Sequence, residues 1–323
     1  MRKILSALTV GAVLLISAAA SETAEKYYIP VIMEDTTGTL DLYWMKLRSN
    51  GTIAKGPVLV RDSATSITSA TIVPEGNKML YTEYDMEGAN QIYSVGVNPK
   101  NGTLVNGPTQ LTTGSSLFYW PSIAKDGRKF SYSQMIGGFD SDVFLKKFKP
   151  NGSLGPATIS VAATGAWELY PMITDDGQGV YYVFDDGGSS TAIVFQKLKP
   201  RGKPSGTPIM AVTYPGENVY APRVDAKREW MSYSRGYDIW VTRLAASGAA
   251  TGTPVKVTSV AAGYFAWGGL TRHARLLVYT VMGGAPYTRT LYSQRLDKNG
   301  NPTGAPVILV PMSPNKVFPW YEE

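Results

Sequence analysis

Cysteine is absent from all 323 residues, so the fold holds no disulfide and a thiol nucleophile is impossible. A bacterial lipid anchor on a cysteine is excluded for the same reason. Histidine occurs once, as His273, and it sits where the repeats described below place a hairpin tip, the position of an ordinary solvated side chain. The chain has no G-x-S-x-G elbow, H-E-x-x-H pair, phosphate-binding loop or dinucleotide fingerprint, and no S-x-D-x-G-x-x-W box. Long apolar segments of 3.6-residue period are missing too, which removes helical bundles and α/β layers from consideration. With no covalent staples, a large apolar core must hold the protein together. About 300 residues can bury one in a single domain.

What the chain has in quantity is glycine (33), tyrosine (20) and proline (21), the composition of short strands and frequent turns. The stretch FYWPSIAKDGRKFSY, Phe118 to Tyr132, is two β-prone runs around an Asp-Gly turn. It returns from Tyr170, Ala221 and Gly268, and more weakly from Ser69. A second half-unit, DVFLKKFKPNGSLGPATISV from Asp142, has counterparts from Asp41, Gln91, Ala192, Asp238 and Thr290. Its proline recurs at Pro57, Pro108, Pro156, Pro208, Pro254 and Pro306, at intervals of 51, 48, 52, 46 and 52 residues. Six copies of a four-strand unit predict an all-β fold, a six-bladed β-propeller of four-stranded antiparallel blades.

Residues 1–20 stand apart. Arg2 and Lys3 precede an apolar run from Ile4 to Ile16 and a small-residue site at Ala18–Ala20, the pattern of a cleaved signal peptide. Residues 21–323 then form the propeller domain, periplasmic or secreted. Call the strands a to d from the channel outward. The first blade begins at strand b (Tyr27–Met33) and lacks strand a. NKVFPWYEE, from Asn315, supplies one, so Phe318–Tyr321 is expected to close the ring and leave no open edge.

The pattern P-x-[ILV]-x-x-D-G-[RK]-x-[ILFV]-x-Y-[ST] followed by D-[IV]-[YFW] is matched by Pro121, Asp126, Gly127, Tyr132, Asp142 and Val143. It resembles the WD40-like (PD40) repeat of TolB-type six-bladed propellers, without the α/β domain that precedes the propeller in that family. The resemblance implies an exported binding scaffold and no particular chemistry.

Acidic residues in loops, Asp140, Asp142, Asp175, Asp176, Asp185 and Asp186, read as turn formers. The Asp that opens strand c in three units (Asp41, Asp142, Asp238) suggests a structural hydrogen bond within each. No catalytic residue, metal ligand or cofactor is expected. The alternative is a hydrolase or a lactonase of the senescence-marker type, with a metal or acid cluster at the channel mouth; Glu168, Glu217, Asn218 and Asp238 are the residues it would draw on.

Formal charge is +6, or about +4 (6 minus 2) once Arg2 and Lys3 are removed, and an exported protein of that charge points to no nucleic acid. Lysines and arginines gather on strand c and the c–d hairpins, which suggests peripheral contact with an anionic envelope surface. The protein is expected to be a monomer. The candidate binding residues begin strand a. Aligned on the proline, Ser69, Trp120, Tyr170, Ala221, Trp267 and Phe318 fall at one position, and Trp167, Glu168, Glu217 and Tyr220 lie within a few residues. They are expected to ring the channel entrance and hold an envelope protein, a peptide or a glycan, with Glu168 and Glu217 as polar rim. Ser69 and Ala221, the small members, suggest an asymmetric pocket.

Overall fold

The computed structural model describes residues 26–311 except 36, 138, 139 and 285–287, and these form strands and turns with no helix. The first sheet is β1 (Lys26–Glu34), β2 (Leu40–Arg48) and β3 (Ile53–Arg61). The second is β4 (Ile67–Ile72), β5 (Lys78–Tyr84), β6 (Asn90–Val97) and β7 (Leu104–Gln110). Two further meanders follow, β8 (Phe118–Ile123), β9 (Lys129–Gly137), β10 (Asp140–Lys147), β11 (Ile159–Ala162), then β12 (Trp167–Ile173), β13 (Gly179–Asp185), β14 (Ala192–Lys197), β15 (Ile209–Thr213). The last two sheets are β16 (Val219–Val224), β17 (Trp230–Arg235), β18 (Asp238–Leu244), β19 (Ala250–Lys256), and β20 (Tyr264–Leu270), β21 (Leu276–Gly283), β22 (Thr288–Leu296), β23 (Pro302–Val310).

Every strand pairs antiparallel with its neighbour in sequence inside its set, as the hairpin signals require. The turns form for local reasons. In the β8–β9 turn the Asp126 carboxylate accepts the Arg128 N–H at 2.9 Å, while Gly127 takes φ +65°. In the β2–β3 turn Asn50 accepts the Thr52 N–H at 3.0 Å. Along β10, Ser141, Val143 and Leu145 are buried while their alternates are half-exposed, the period of a strand packed on one side more than the other. The outermost strand β7 is exposed throughout.

Six apolar clusters lie between successive strand sets. The inner strands β1, β4, β8, β12, β16 and β20 touch in succession, giving a propeller arrangement. One cluster joins the first set to the last: Ile29 and Val31 of β1 and Met45 and Leu47 of β2 pack on Leu276, Val278, Leu291 and Leu309. Beside it the Ser293 hydroxyl donates to the Gly51 carbonyl at 2.7 Å. A Cβ at Gly51 would stand 2.6 Å from that hydroxyl, and its φ is +83°, so glycine is required there. The ring is therefore closed by packing between residues more than two hundred positions apart.

Counted by unbroken hydrogen bonding, the six strand sets form five sheets rather than six separate blades. A single parallel pairing, Ser141 to Trp167, ties β10 to β12 and merges the third and fourth sets into eight strands. Sequence repeats cannot register such a link, because it joins neighbouring units instead of recurring within each. The first sheet has three strands with β1 at its inner edge. Phe318–Tyr321, expected beside β1, lies outside the described residues, as does the 1–20 segment.

Candidate functional site

Three of the inner strands share an irregularity where they begin to line the channel. Trp120, Tyr170 and Ala221 each precede a proline, and each adopts a left-handed backbone, with φ of 50°, 52° and 50°. A register shift interrupts the pairing with strand b at each of these positions. Left-handed φ for bulky residues is uncommon, and proline further restricts the residue before it; such strain costs about 1–3 kcal/mol per residue. A bulge re-aims the side chain it carries. Here it brings the large rings together. In the sixth set Gly268 and Gly269 follow Trp267 where these three sets have proline, and β20 pairs with β21 without a break.

The Trp120 and Tyr170 rings approach to 4.1 Å between centroids, and Tyr170 lies 5.3 Å from Trp267 and 6.3 Å from Tyr220. Tyr119 adds a contact to Trp120 at 5.2 Å. All are half-buried. The structure thus gathers Trp120, Tyr170, Tyr220 and Trp267, contributed by four strand sets, into one partly exposed aromatic cluster. Phe318 falls outside the described residues.

Ser69 and Ala221 are buried. The Ser69 hydroxyl accepts the Trp120 N–H at 3.3 Å and bonds Thr82 at 2.6 Å. Ala221 lies on the set between those that carry Tyr170 and Trp267.

Nearer the a–b turns the channel is almost filled. A void of about 10 Å³ is bounded by Ser122, Met172, Arg223 and Arg272 among others, scarcely enough for one water. Arg272 reaches Asp175 at 2.6 Å, tying the turn of the fourth set to that of the sixth. Burial is the main influence on the Asp175 carboxyl and pushes it up, with Arg272 acting in the opposite sense.

Glu217 is exposed at the rim and paired with Arg235 at 2.6 and 2.7 Å, which holds its carboxyl below the usual range. The Arg235 guanidinium lies 3.7 Å over Tyr214. Asn218 accepts the Thr191 N–H at 3.1 Å, and Asp238 bonds Thr258 and Val260 at 3.0 Å and Lys256 at 2.6 Å. Of the residues a lactonase site would draw on, these three are committed elsewhere.

Glu168 departs from its expected place. It is wholly buried, so it is no rim residue. Its carbonyl accepts the Ser133 and Ser141 hydroxyls, both at 2.9 Å, pinning β12 against β9 and β10. Its Oε1 accepts the Thr164 hydroxyl, while Oε2 has no hydrogen-bond partner. Asp140, Asp142 and Glu168 each present an oxygen within 4.8 Å of the other two. Burial first, with Asp142 and Asp140 nearby, pushes the Glu168 carboxyl up to about 7. The aspartates looked like turn chemistry in the sequence. That reading holds for Asp185 and Asp186, which accept the N–H groups of Gly187 and Gly188. Likewise Asp41 accepts the Ser63 N–H at 2.8 Å, the structural bond expected at the start of strand c. Asp142 makes no such bond among the described residues and turns to Glu168 instead. His273 is exposed in its turn, its ring edge-on to Tyr27 at 5.8 Å.

No family model matches the chain, and no curated protein does. Solved structures do. TolB from Acinetobacter baumannii aligns with a TM-score of 0.56 at 13% identity, over 88% of this chain and 65% of that one. A chain of the nidogen/laminin complex aligns with a TM-score of 0.59 at 12% identity, over 88% and 94%. A puromycin-hydrolysing peptidase from Mycobacterium tuberculosis gives 0.52 at 11%, over 88% and 45%. The likeness is one of fold. This chain is a β-propeller similar to TolB and to other propellers, and it spans about two thirds of the TolB chain's length.

Proposed function

We propose that the chain is an exported six-bladed propeller that binds, without catalysis, an envelope protein, a peptide or a glycan on its aromatic mouth. The observation that carries this reading is the convergence of Trp120, Tyr170, Tyr220 and Trp267 at 4.1 to 6.3 Å, with Trp120 and Tyr170 on left-handed backbone. Half-buried rings keep part of their flat apolar surface exposed, and such surfaces are the usual anchors of sugar and peptide recognition. The count of six rests on the six apolar clusters, with the eight-stranded sheet taken as two blades. The filled channel beneath the rings favours a shallow platform over a deep reaction pocket.

Export rests on the N-terminal pattern of residues 1–20, and a binding role is in keeping with a fold shared with a nidogen/laminin complex. On the opposite face several basic residues serve as ties between sets. Lys129 Nζ donates to the Gly177 carbonyl at 3.0 Å, Lys147 Nζ donates to the Arg201 carbonyl, and Arg243 donates to the Lys298 carbonyl at 3.2 Å. Contact with an anionic surface would draw on the remaining lysines and be weak and salt-sensitive.

One observation favours a hydrolytic reading. Glu168, its carboxyl pushed up to about 7 by burial, stands beside two other acids, the setting of a general acid. Its complete burial weighs against it.

The double substitution Trp120→Ala with Trp267→Ala tests the binding reading. Both residues are only half-buried, so the variant is expected to fold and unfold cooperatively. Immobilised wild-type protein should retain a component of envelope extract from the source organism, and the variant should lose at least ten-fold of it. Undiminished retention by a folded variant removes the mouth from the account.

A further inference from the structure

The seam between the third and fourth strand sets carries three carboxylates that no ion pair among the described residues neutralises. Asp140 and Asp142 leave one face of β10 two residues apart, next to the register shift between Asp140 and Ser141. Glu168 comes from β12, directly after the parallel pairing of Trp167 with Ser141. The two serine bonds to its carbonyl fix the backbone that delivers it. None of the three carboxylates takes part in an ion pair within the described residues.

We propose that Asp140, Asp142 and Glu168 form a calcium site that staples β10 to β12 beside the channel mouth. Two buried oxygens point to a ligand that the described residues do not supply. Glu168 is 0% exposed, and its Oε2 has no donor; the Asp140 Oδ1 is likewise buried without one. Buried acceptors are almost always satisfied, and a buried charge is ordinarily paired or bound to a metal. The equivalent aspartates Asp41 and Asp238 meet that requirement with hydrogen bonds from the chain between strand d and the next strand a. Asp142 does not, and Thr164, in the corresponding segment of its own set, donates to Glu168 instead.

The chemistry and size select the ion. All three donors are carboxylate oxygens, which suit hard cations, and zinc or copper would want nitrogen or sulfur. Calcium binds oxygen at about 2.3–2.6 Å, so oxygens across one ion lie up to roughly 4.6–5.2 Å apart. The three here fall within 4.8 Å of one another. Magnesium binds at about 2.0–2.1 Å, sheds its waters reluctantly and is seldom held by an all-carboxylate protein cage. Second carboxylate oxygens and water would complete the shell. The ion's role would be structural, because it bridges the seam where, among the described strands, a ladder pairing merges two strand sets into one sheet.

The test uses the purified full-length protein stripped of metal with a chelator, with calcium alone as the probe. Equilibrium dialysis should find one ion per chain, and saturating calcium, about 100 times its Kd, should raise the melting temperature by roughly 5 °C. Terbium, a calcium surrogate, should show emission sensitised through Trp167, and displacing it should take at least ten-fold more magnesium than calcium. Glu168→Gln and Asp142→Asn each keep the shape and relieve repulsion, so both should melt at or above the calcium-free wild type and lose the calcium response. Should either variant fail to fold, dialysis on the wild type still decides. No bound calcium at millimolar concentration, a response unchanged in both folded variants, or equal displacement by magnesium would overturn the assignment.

Discussion

Truncation of Leu291 to alanine is expected to lower stability by about 2–5 kcal/mol, the range for removing a buried leucine from a core that cannot collapse around the gap. Leu291 is fully buried in the cluster that joins the first and last strand sets. Its neighbours there are Ile29 and Val31 on one side and Val278 and Leu309 on the other. The loss falls on the contact that closes the ring, so the unfolding transition should shift as a whole and remain single. Urea unfolding gives the midpoint and slope directly. Leu104→Ala is the control: that residue is 48% exposed on the outer strand β7 and should move stability by no more than about 0.5 kcal/mol. Equal small effects at both positions would mean that the first and last sets do not support each other.

Replacement of Arg272 by methionine is expected to cost about 3 kcal/mol or more, because it strands the buried Asp175 carboxylate. The pair sits 2.6 Å apart with side chains 15% and 8% exposed, and it spans the channel floor from the sixth set to the fourth. Burial already raises the Asp175 carboxyl, and losing the arginine raises it further. An acid whose folded-state pKa lies above its unfolded value adds stability at low pH and loses it as pH rises through the folded pKa. The deficit of Arg272→Met should therefore be greatest near pH 8 and shrink toward pH 4. Asp175→Asn added to Arg272→Met should recover part of the loss at neutral pH. A deficit independent of pH would mean that lost packing, rather than the stranded charge, sets the cost.

The repeats were legible because each turn carries its own instructions. Asp126 with Gly127 and Asn50 with Gly51 fix their hairpins within four residues, so the spacing of the strands could be read off the chain. The aromatic position was legible through its proline, although the restriction proline places on its neighbour gave no hint of the left-handed backbone at Trp120 and Tyr170. Pairs that meet only across the ring were invisible. Nothing local distinguishes Asp142 from Asp41, and Glu168 comes to Asp142 only because β12 lies beside β10. Arg272 and Asp175 are 97 residues apart, and in the sequence Asp175 reads only as a turn former.

The central claim is that a partner sits on the mouth, and site-specific photo-crosslinking tests it most directly. A benzophenone amino acid is placed in turn at Met86 and Tyr237, 87% and 68% exposed on turns at the mouth end, and at Val105, 61% exposed on the outer strand β7. None of these side chains is in the core, so all three proteins should fold alike. Irradiated in native envelope extract, the Met86 and Tyr237 positions are predicted to capture the same component and the Val105 position none. Capture at Val105 alone, with both mouth positions silent, would contradict the account.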